Sequence, residues 1–97
     1  MVGLVAVDRD DEAIGLAHLV FHVSTWTTGN YCYLEDLFVA DAWRGAGVGR
    51  ALIEAVYREA DERGSARVYW MTQEFNAAAR SLYDRVAHRT DFIRYER

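Results

Sequence analysis

The sequence predicts an α+β domain in which two main helices pack on a mixed, mostly antiparallel sheet that contains one parallel β-α-β unit. Three observations indicate this class. Apolar and β-branched residues are arranged as strands before residue 40, the period changes to that of an amphipathic helix at Val48, and a strand-like apolar segment follows that helix. A strand, a helix and a second strand in this order imply a right-handed crossover and a parallel strand pair. Since 97 residues can bury one core but not two, we expect a single domain over residues 1–97.

Three strands are expected before the first helix. The segments 2–7 and 13–26 are separated by the polar run DRDDE, which predicts a β-hairpin. The turn TTGN then leads into a third strand, YCYLEDLFVA, at residues 31–40. Alternation along this strand predicts one face with Cys32, Leu34, Asp36 and Phe38 and another with Tyr33, Glu35, Leu37 and Val39. Glu35 and Asp36 are therefore expected in mid-strand, on opposite faces.

The first helix is predicted between Val48 and Gly64, a residue type that commonly follows a helix. Its apolar positions recur at helical spacing and predict a buried face. That face consists of Val48, Leu52, Ala55, Val56 and Ala60. On the outer face we expect the i,i+4 ion pairs Glu54–Arg58 and Glu59–Arg63.

The last third of the chain predicts a strand, a second helix and a closing strand. The segment ARVYWMT at 66–72 has the composition of a strand, and Asn76 is a residue type that begins helices. The buried stripe of the second helix is expected to be Ala79, Leu82, Tyr83 and Val86. The segment DFIRYER at 91–97 predicts the closing strand.

Gly45, Gly47 and Gly49 stand where the third strand turns into the first helix. Each glycine costs about 0.5–1 kcal/mol relative to alanine inside a helix, so folding alone does not favour them. The first turn of a helix exposes unpaired amides and about half a positive charge, and glycine lets an anion approach that backbone. The segment RGAGVG therefore predicts a diphosphate-binding turn. It lacks the Lys-Ser/Thr of a Walker A loop and does not complete G-x-G-x-x-G.

Composition and charge argue against several other classes of function. The net charge is -4 and all eleven basic residues are arginines, which disfavours a nucleic-acid surface. No apolar run approaches the length of a membrane span and the start does not resemble a signal peptide, so we expect a cytoplasmic protein with no membrane partner. His18 and His22 share a strand face, but no acidic residue or cysteine on that face could act as a third ligand. This favours histidines that hydrogen-bond within the sheet over a metal site.

The glycine turn also matches a known pattern. Arg44, Gly47 and Gly49 fit Arg/Gln-x-x-Gly-x-Gly/Ala, the signature of motif A in the GNAT superfamily of acyl-CoA-dependent N-acetyltransferases. Asn76 and Tyr83 in NAAARSLYDRV resemble motif B of the same superfamily. The resemblance covers nearly the whole chain and is greatest to the spermidine/spermine N-acetyltransferase type and to small histone-acetylating members. It implies a GNAT-like fold with acetyl-CoA as the acyl donor.

This resemblance implies which residues hold the acyl donor. Backbone groups of Leu37, Phe38 and Val39 would bind the pantetheine arm where the two central strands splay apart. The diphosphate would be held by the main chain of Gly45, Ala46, Gly47, Val48, Gly49 and Arg50. Asn76 and Ala79 would contact the pantetheine from the second helix, and Arg44, Arg50 and Arg85 would add positive charge. For Arg85 a solvated surface position is the equal alternative.

Two residues are expected to carry the chemistry. An alkylamine is almost fully protonated at neutral pH, so its attack needs a general base, and Glu35 or Asp36 is placed to serve. The resemblance favours Glu35 as the base and assigns Tyr83 to protonate the departing thiolate. The structural alternatives are salt bridges for the two carboxylates and simple packing for Tyr83.

The resemblance also implies an acceptor and partners. Tyr69, Trp70 and Met71 would line the acceptor pocket with Glu35 and Asp36, and the acceptor would be a polyamine-like small molecule or a lysine side chain that attacks directly in a ternary complex. GNAT proteins usually begin with a strand and two helices, whereas this chain starts at what resembles their second strand. The alternative is therefore a CoA-binding module without turnover. An exposed closing strand would leave an unpaired edge, which predicts a homodimer through the C-terminal strand.

Overall fold

The computed structural model describes all residues from 1 to 97 and contains one four-stranded sheet and two helices. The elements in chain order are β1 (Val2–Val7), β2 (Ala13–Val23), β3 (Asn30–Val39), a single 3-10 turn (Asp41–Trp43), α1 (Val48–Glu62), β4 (Ser65–Tyr69) and α2 (Ala77–Val86). The sheet order is β1-β2-β3-β4; β1, β2 and β3 are antiparallel and β4 is parallel to β3. The predicted class and the β3-α1-β4 crossover are therefore confirmed. Neither helix has the length and hydropathy needed to cross a bilayer.

The core lies between the sheet and α1. Alternate residues of β2 and β3 face the apolar stripe of α1, and α2 packs beside them. The buried cluster consists of Ala17, Leu19, Cys32, Leu34, Leu52, Ile53, Val56 and Ala60. Gly15 allows α1 to approach β2 closely, because a Cβ at this position would lie only 2.9 Å from Cδ1 of Leu52. The predicted stripe of α1 omitted Ile53, which is completely buried.

A β-bulge changes the faces predicted for β3. Leu19 pairs with Leu34 and His18 with Asp36, so Glu35 is an extra residue without a partner in β2. Beyond the bulge the core-facing residues are Leu37 and Val39 instead of Asp36 and Phe38. Strict alternation along this strand was therefore wrong after Leu34, because one inserted residue exchanges the two faces.

The predicted closing strand is absent. Residues 91–97 form no strand, and Phe92, Ile93 and Tyr95 are 82%, 75% and 86% exposed. The physical reason is that no neighbouring strand pairs with this segment, and an isolated strand leaves its backbone and apolar side chains in water. The preceding strand β4 also ends early, at Tyr69 instead of residue 72.

The surface ion pairs of α1 differ in part from those predicted. Arg63 Nε lies 2.9 Å from Glu59 Oε1, as expected. Glu54 instead pairs with Arg50 one turn earlier, at 3.1 Å, and not with Arg58. Both pairs are exposed and contribute less than about 1 kcal/mol each. This change in the partner of Glu54 matters chiefly because Arg50 belongs to the glycine turn.

Candidate active site

The glycine turn presents a row of unpaired amides at the start of α1. Gly45 and Gly47 have φ values of +81° and +85°, in the left-handed region that glycine tolerates best. The first amide of α1 that donates to a carbonyl is that of Ala51, which bonds to the Gly47 carbonyl at 3.0 Å. The amides of residues 47–50 have no acceptor within the protein. Together with the helix dipole, these donors form an anion-binding turn.

Gly49 serves a different purpose from the other two glycines. A Cβ added there would lie 3.1 Å from Cδ2 of Leu82, whereas nothing lies within 4 Å of a Cβ added at Gly45 or Gly47. Gly45 and Gly47 therefore shape the turn and leave its backbone open, while Gly49 lets α2 pack against the first turn of α1. This contact fixes Tyr83, the residue after Leu82, relative to the anion-binding turn.

Three arginines predicted to add charge are exposed and already bonded to the protein. Arg44 Nε lies 3.2 Å from Asp41 Oδ1, Arg50 is paired with Glu54, and Arg85 Nε donates to the Ser81 carbonyl at 3.1 Å. Each of these contacts uses only part of a guanidinium group, which has five N–H donors. The remaining donors can bind an anion at the surface.

The sheet opens between β3 and β4 next to this turn. The last parallel pair is Tyr33 with Tyr69, after which β3 continues to Val39 with β2 as its only partner. Leu37, Phe38 and Val39 thus lie along an unpaired strand edge, as the predicted splay of the central strands requires. A cavity of about 240 Å³ occupies the opening. It is lined by Leu34, Glu35, Asp36, Leu37, Trp70, Met71 and Tyr83.

Four of the five residues predicted for the acceptor site line this cavity: Glu35, Asp36, Trp70 and Met71. Of the predicted set, Tyr69 lies elsewhere: its ring stacks on Tyr33 at 4.9 Å and its hydroxyl is 2.6 Å from Nε2 of His22. The cavity is also lined by Leu34, which the prediction placed on the same strand face as Cys32 and did not assign to the site. The bulge at Glu35 brings the two carboxylates to the cavity together.

Tyr83 is held by an aromatic cluster that joins three elements. Its ring meets that of Trp70 edge-on, with centroids 5.4 Å apart, and Trp70 in turn lies 6.3 Å from Tyr57. The Tyr57 hydroxyl donates to the Val86 carbonyl at 2.8 Å and so fastens the end of α2 to α1. Tyr57 was not predicted from the sequence, since its place beside the apolar stripe of α1 gives no sign of this bond.

Burial raises the pKa of Tyr83 above its ordinary value of 10.0. Desolvation penalises the charged phenolate, so the hydroxyl keeps its proton at neutral pH. Tyr83 lines the cavity, and a protonated hydroxyl can donate a hydrogen bond. Tyr57 and Tyr69 also have raised pKa values, again mainly because of burial.

The carboxylates have different partners. Asp36 Oδ2 lies 3.1 Å from Nδ1 of His18, whereas Glu35 makes no side-chain hydrogen bond. His22 also has partners, since Nδ1 is 3.0 Å from the Val23 carbonyl and Nε2 bonds to Tyr69. No three His, Cys, Asp or Glu side chains come together as a metal site.

Asn76 caps α2. Its Oδ1 accepts a hydrogen bond from the Ala79 amide at 3.3 Å, which satisfies one of the unpaired donors of the helix start. This bond gives both residues a structural role in the helix cap, and their contact with a ligand stays a prediction. The Asn76 side-chain NH₂ group makes no bond within the protein and remains available as a donor.

The fold and the site together define a class: an α+β protein whose sheet opens beside the unpaired amides of a helix. Residues 2–88 match the model of the Acetyltransferase (GNAT) family, and the chain belongs to this family. GNAT proteins use acetyl-CoA as their acyl donor.

Two relatives and one solved structure illustrate the similarity. The chain is 44% identical over 96 residues to the D-amino-acid N-acetyltransferase HPA3 of Saccharomyces cerevisiae, covering 98% of this chain and 60% of the relative. It is 32% identical over 76 residues to a thialysine N-epsilon-acetyltransferase of Caenorhabditis elegans, covering 78% and 47%. The structure of AAC(6')-Iy in complex with the bisubstrate analogue CoA-S-monomethyl-acetylneamine superposes with a TM-score of 0.84 at 24% identity, covering 98% and 67%. The chain thus spans about half to three-fifths of the length of these two curated relatives.

Proposed function

We propose that this chain catalyses transfer of an acetyl group from acetyl-CoA to a primary amine. The observation that carries the proposal is that Glu35 and Tyr83, from different elements, line one small cavity where β3 and β4 separate. Family membership and the names of the relatives support the reaction class. The cavity provides an acidic wall for an incoming amine and a hydroxyl donor for the departing sulfur.

The unpaired amides of residues 47–50 fit the diphosphate of the acyl donor. Each charge-assisted hydrogen bond of this kind contributes roughly 1.5–3 kcal/mol. The Gly45 amide extends the same turn, whereas the predicted donor Ala46 is already used, because its amide donates to the Trp43 carbonyl at 3.3 Å. The free guanidinium donors of Arg44, Arg50 and Arg85 would add positive charge. The unpaired edge of β3 at residues 37–39 would bind the pantetheine amides as an added strand does, with Asn76 and Ala79 across the opening.

Glu35 would act as the general base. At neutral pH fewer than about one alkylamine molecule in a thousand is unprotonated, a deficit of about 4 kcal/mol. Glu35 has no competing partner and can take the ammonium proton directly or through a water molecule. The amine nitrogen then bonds to the thioester carbonyl carbon while the carbon–sulfur bond breaks and the sulfur takes the electron pair.

Tyr83 would supply the proton or hydrogen bond that the departing sulfur needs. A thiol has a reference pKa of about 8.5, so a phenol of pKa 10 or more transfers its proton fully at a cost of about 2 kcal/mol or more. A hydrogen bond from the buried hydroxyl stabilises the thiolate without complete transfer. The nitrogen loses a second proton as the amide forms, which replaces the one that the sulfur takes up. The net release is the single proton that Glu35 takes from the ammonium group and returns to solvent.

The proposed acceptor is the end of an alkylamine. A cavity of about 240 Å³ with two carboxylates suits a small cationic amine or a lysine-like side chain better than a bulky ring system. Both relatives are named for small amine substrates, a D-amino acid and thialysine. Trp70 and Met71 would pack on the alkyl part of the acceptor.

The test is amine-dependent release of free thiol from acetyl-CoA, measured across a panel of primary amines with calorimetry of CoA binding alongside. Thiol release that requires both substrates supports the proposal. Heat of CoA binding without thiol release would favour the alternative, a CoA-binding module without turnover, which the partial coverage of the relatives' length makes worth testing. The absence of both would overturn the donor site itself.

We infer that a second copy of the chain covers the open side of β4. The predicted closing strand is absent, so β4 is itself one of the two unpaired edges of the sheet, and exposed Phe92, Ile93 and Tyr95 lie in the chain's last segment. Open strand edges pair readily with other strands. The dimer therefore remains our proposal, with β4 and residues 91–97 as the surface.

A further inference from the structure

The bulge in β3 connects the acceptor cavity to a residue outside it. Nδ1 of His18, on β2, lies 3.1 Å from Oδ2 of Asp36. An ionised carboxylate can only accept, so His18 donates in this contact and carries a proton on Nδ1. Asp36 lines the cavity, whereas His18 does not.

The strand register places this contact at the bulge, where it affects how Asp36 faces the cavity. His18 pairs directly with Asp36 at the position where the ladder slips, and Glu35 is the inserted residue. A bulge re-aims the side chains next to it, and the hydrogen bond to His18 favours one orientation of the Asp36 carboxylate. His18 is its only side-chain partner in the protein. Both side chains are accessible, at 35% for His18 and 61% for Asp36, so the contact can respond to a ligand.

The same contact gives the two carboxylates different roles. Glu35 has no hydrogen-bond partner and is left to accept a proton, while Asp36 is held at one oxygen and keeps its other oxygen for a ligand. A held carboxylate beside the cavity is an anchor for a cation. The anchoring group is one residue away from the proposed base, so both can act on a single acceptor molecule.

We propose that His18 is a positioning residue that aims Asp36 at the acceptor, which gives this site a preference for primary amines that carry a second positive charge. The inference rests on the proposed function, because it assigns the cavity to the acceptor. His18 acts through Asp36 and does not touch the substrate. Gly3 lies opposite His18 on β1. A Cβ added there would be at an ordinary van der Waals distance from Cδ2 of the His18 ring, 3.7 Å, so this neighbour does not displace the ring.

The test measures amine binding without turnover. Amide signals of residues 35 and 36 in isotope-labelled protein are followed by NMR during titration with 1,4-diaminobutane and with butylamine. His18→Ala should weaken diamine binding about fivefold, the factor carried by one solvent-exposed ion contact, and should change butylamine binding much less. His18→Asn should restore the diamine affinity, because its Nδ2–H can replace the imidazole Nδ1–H. His22→Ala is the matched control, since His22 lies on the same strand but bonds to Tyr69 outside the cavity.

Several outcomes would overturn the inference. These are a wild-type chain that does not bind the diamine, equal weakening of both amines by His18→Ala, and no recovery in His18→Asn. An unchanged effect of His18→Ala in an Asp36→Ala background would also do so, because no carboxylate is then left for His18 to position. Thiol release tests the proposed function separately: a chain that binds the diamine with the expected pattern but releases no thiol retains the inference and loses the transfer reaction.

Discussion

The hydroxyl and the ring of Tyr83 have different roles, which a substitution can test separately. The ring packs on Trp70 and fills the wall of the cavity, while the hydroxyl is the donor that the proposed reaction requires. Tyr83→Phe keeps the ring, so we expect kcat to fall about a hundredfold, at the low end of what proton donors contribute, with CoA affinity almost unchanged. Steady-state thiol release and calorimetry measure the two quantities.

Tyr57→Phe provides the control for this substitution within the same aromatic cluster. It removes a hydroxyl bonded to the Val86 carbonyl, so it should reduce the free energy of unfolding by about 1 kcal/mol and leave kcat near its original value. Equal losses of kcat and CoA affinity in Tyr83→Phe would contradict the donor role and assign this tyrosine to packing.

The raised pKa values of Tyr57, Tyr69 and Tyr83 predict a loss of stability at high pH. Below pH 10 the folded and unfolded chains both keep the phenol protons, so these groups do not change stability. As the pH rises above 10, the unfolded chain releases them first and is favoured, until the folded pKa values are passed. Tyrosinate absorbance of the folded protein should show part of the six tyrosines titrating late. Denaturant unfolding should give a falling free energy over the same pH range, and uniform titration near pH 10 would refute the prediction.

At the scale of the element, the turn between β3 and α1 needs glycine for two reasons. Gly45 and Gly47 adopt a left-handed backbone, and Gly49 allows α2 to pack closely. Gly47→Ala forces alanine into a left-handed conformation, which costs about 1–2 kcal/mol, and disturbs the row of amides that we assign to the diphosphate. CoA binding should therefore weaken together with stability. Calorimetry and denaturant unfolding measure the two effects.

Gly64→Ala is the matched control at the other end of α1. Gly64 has a φ of +68° and, like Gly47, open space where a Cβ would be placed. Its substitution should cost a similar free energy of unfolding and leave CoA affinity intact. If both variants lost CoA affinity equally, the effect would be one of stability, and the diphosphate would have to bind elsewhere.

The sequence predicted elements better than the details that shape the site. Period and turn residues were sufficient for four strands, both helices and the parallel crossover, because these depend on local pattern. The bulge was missed, although the apolar spacing of Cys32 and Leu34 followed by Leu37 and Val39 carries a three-residue step that strict alternation does not allow. The contacts of His18 with Asp36 and of Gly49 with Leu82 depend on strand register and helix packing, which no local pattern contains. The closing strand was predicted wrongly, because its alternation has no pairing partner in the chain.

At the scale of the whole molecule, the sheet has two edges with different surroundings. β1 forms one edge; like β4 it packs on the α1 side through its inner face, and its outer face exposes Val5 and Val7. β4 forms the other edge and is only five residues long, and the last segment of the chain adds exposed apolar side chains without pairing to it. Association between copies is therefore expected at the β4 side and not at β1.

This difference between the two edges of the sheet predicts a dimer that one introduced lysine can dissociate. Light scattering at micromolar concentration should give about twice the 11.1 kDa of one chain. Ile93→Lys places a charge in the exposed terminal segment, where no buried contact is lost, so it should yield folded monomers with an unchanged circular dichroism spectrum. Val5→Lys places the same charge on the exposed face of β1, at the opposite edge, and should leave the dimer intact. A wild-type chain that scatters as a monomer would refute the dimer, and dissociation by Val5→Lys alone would move the interface to β1.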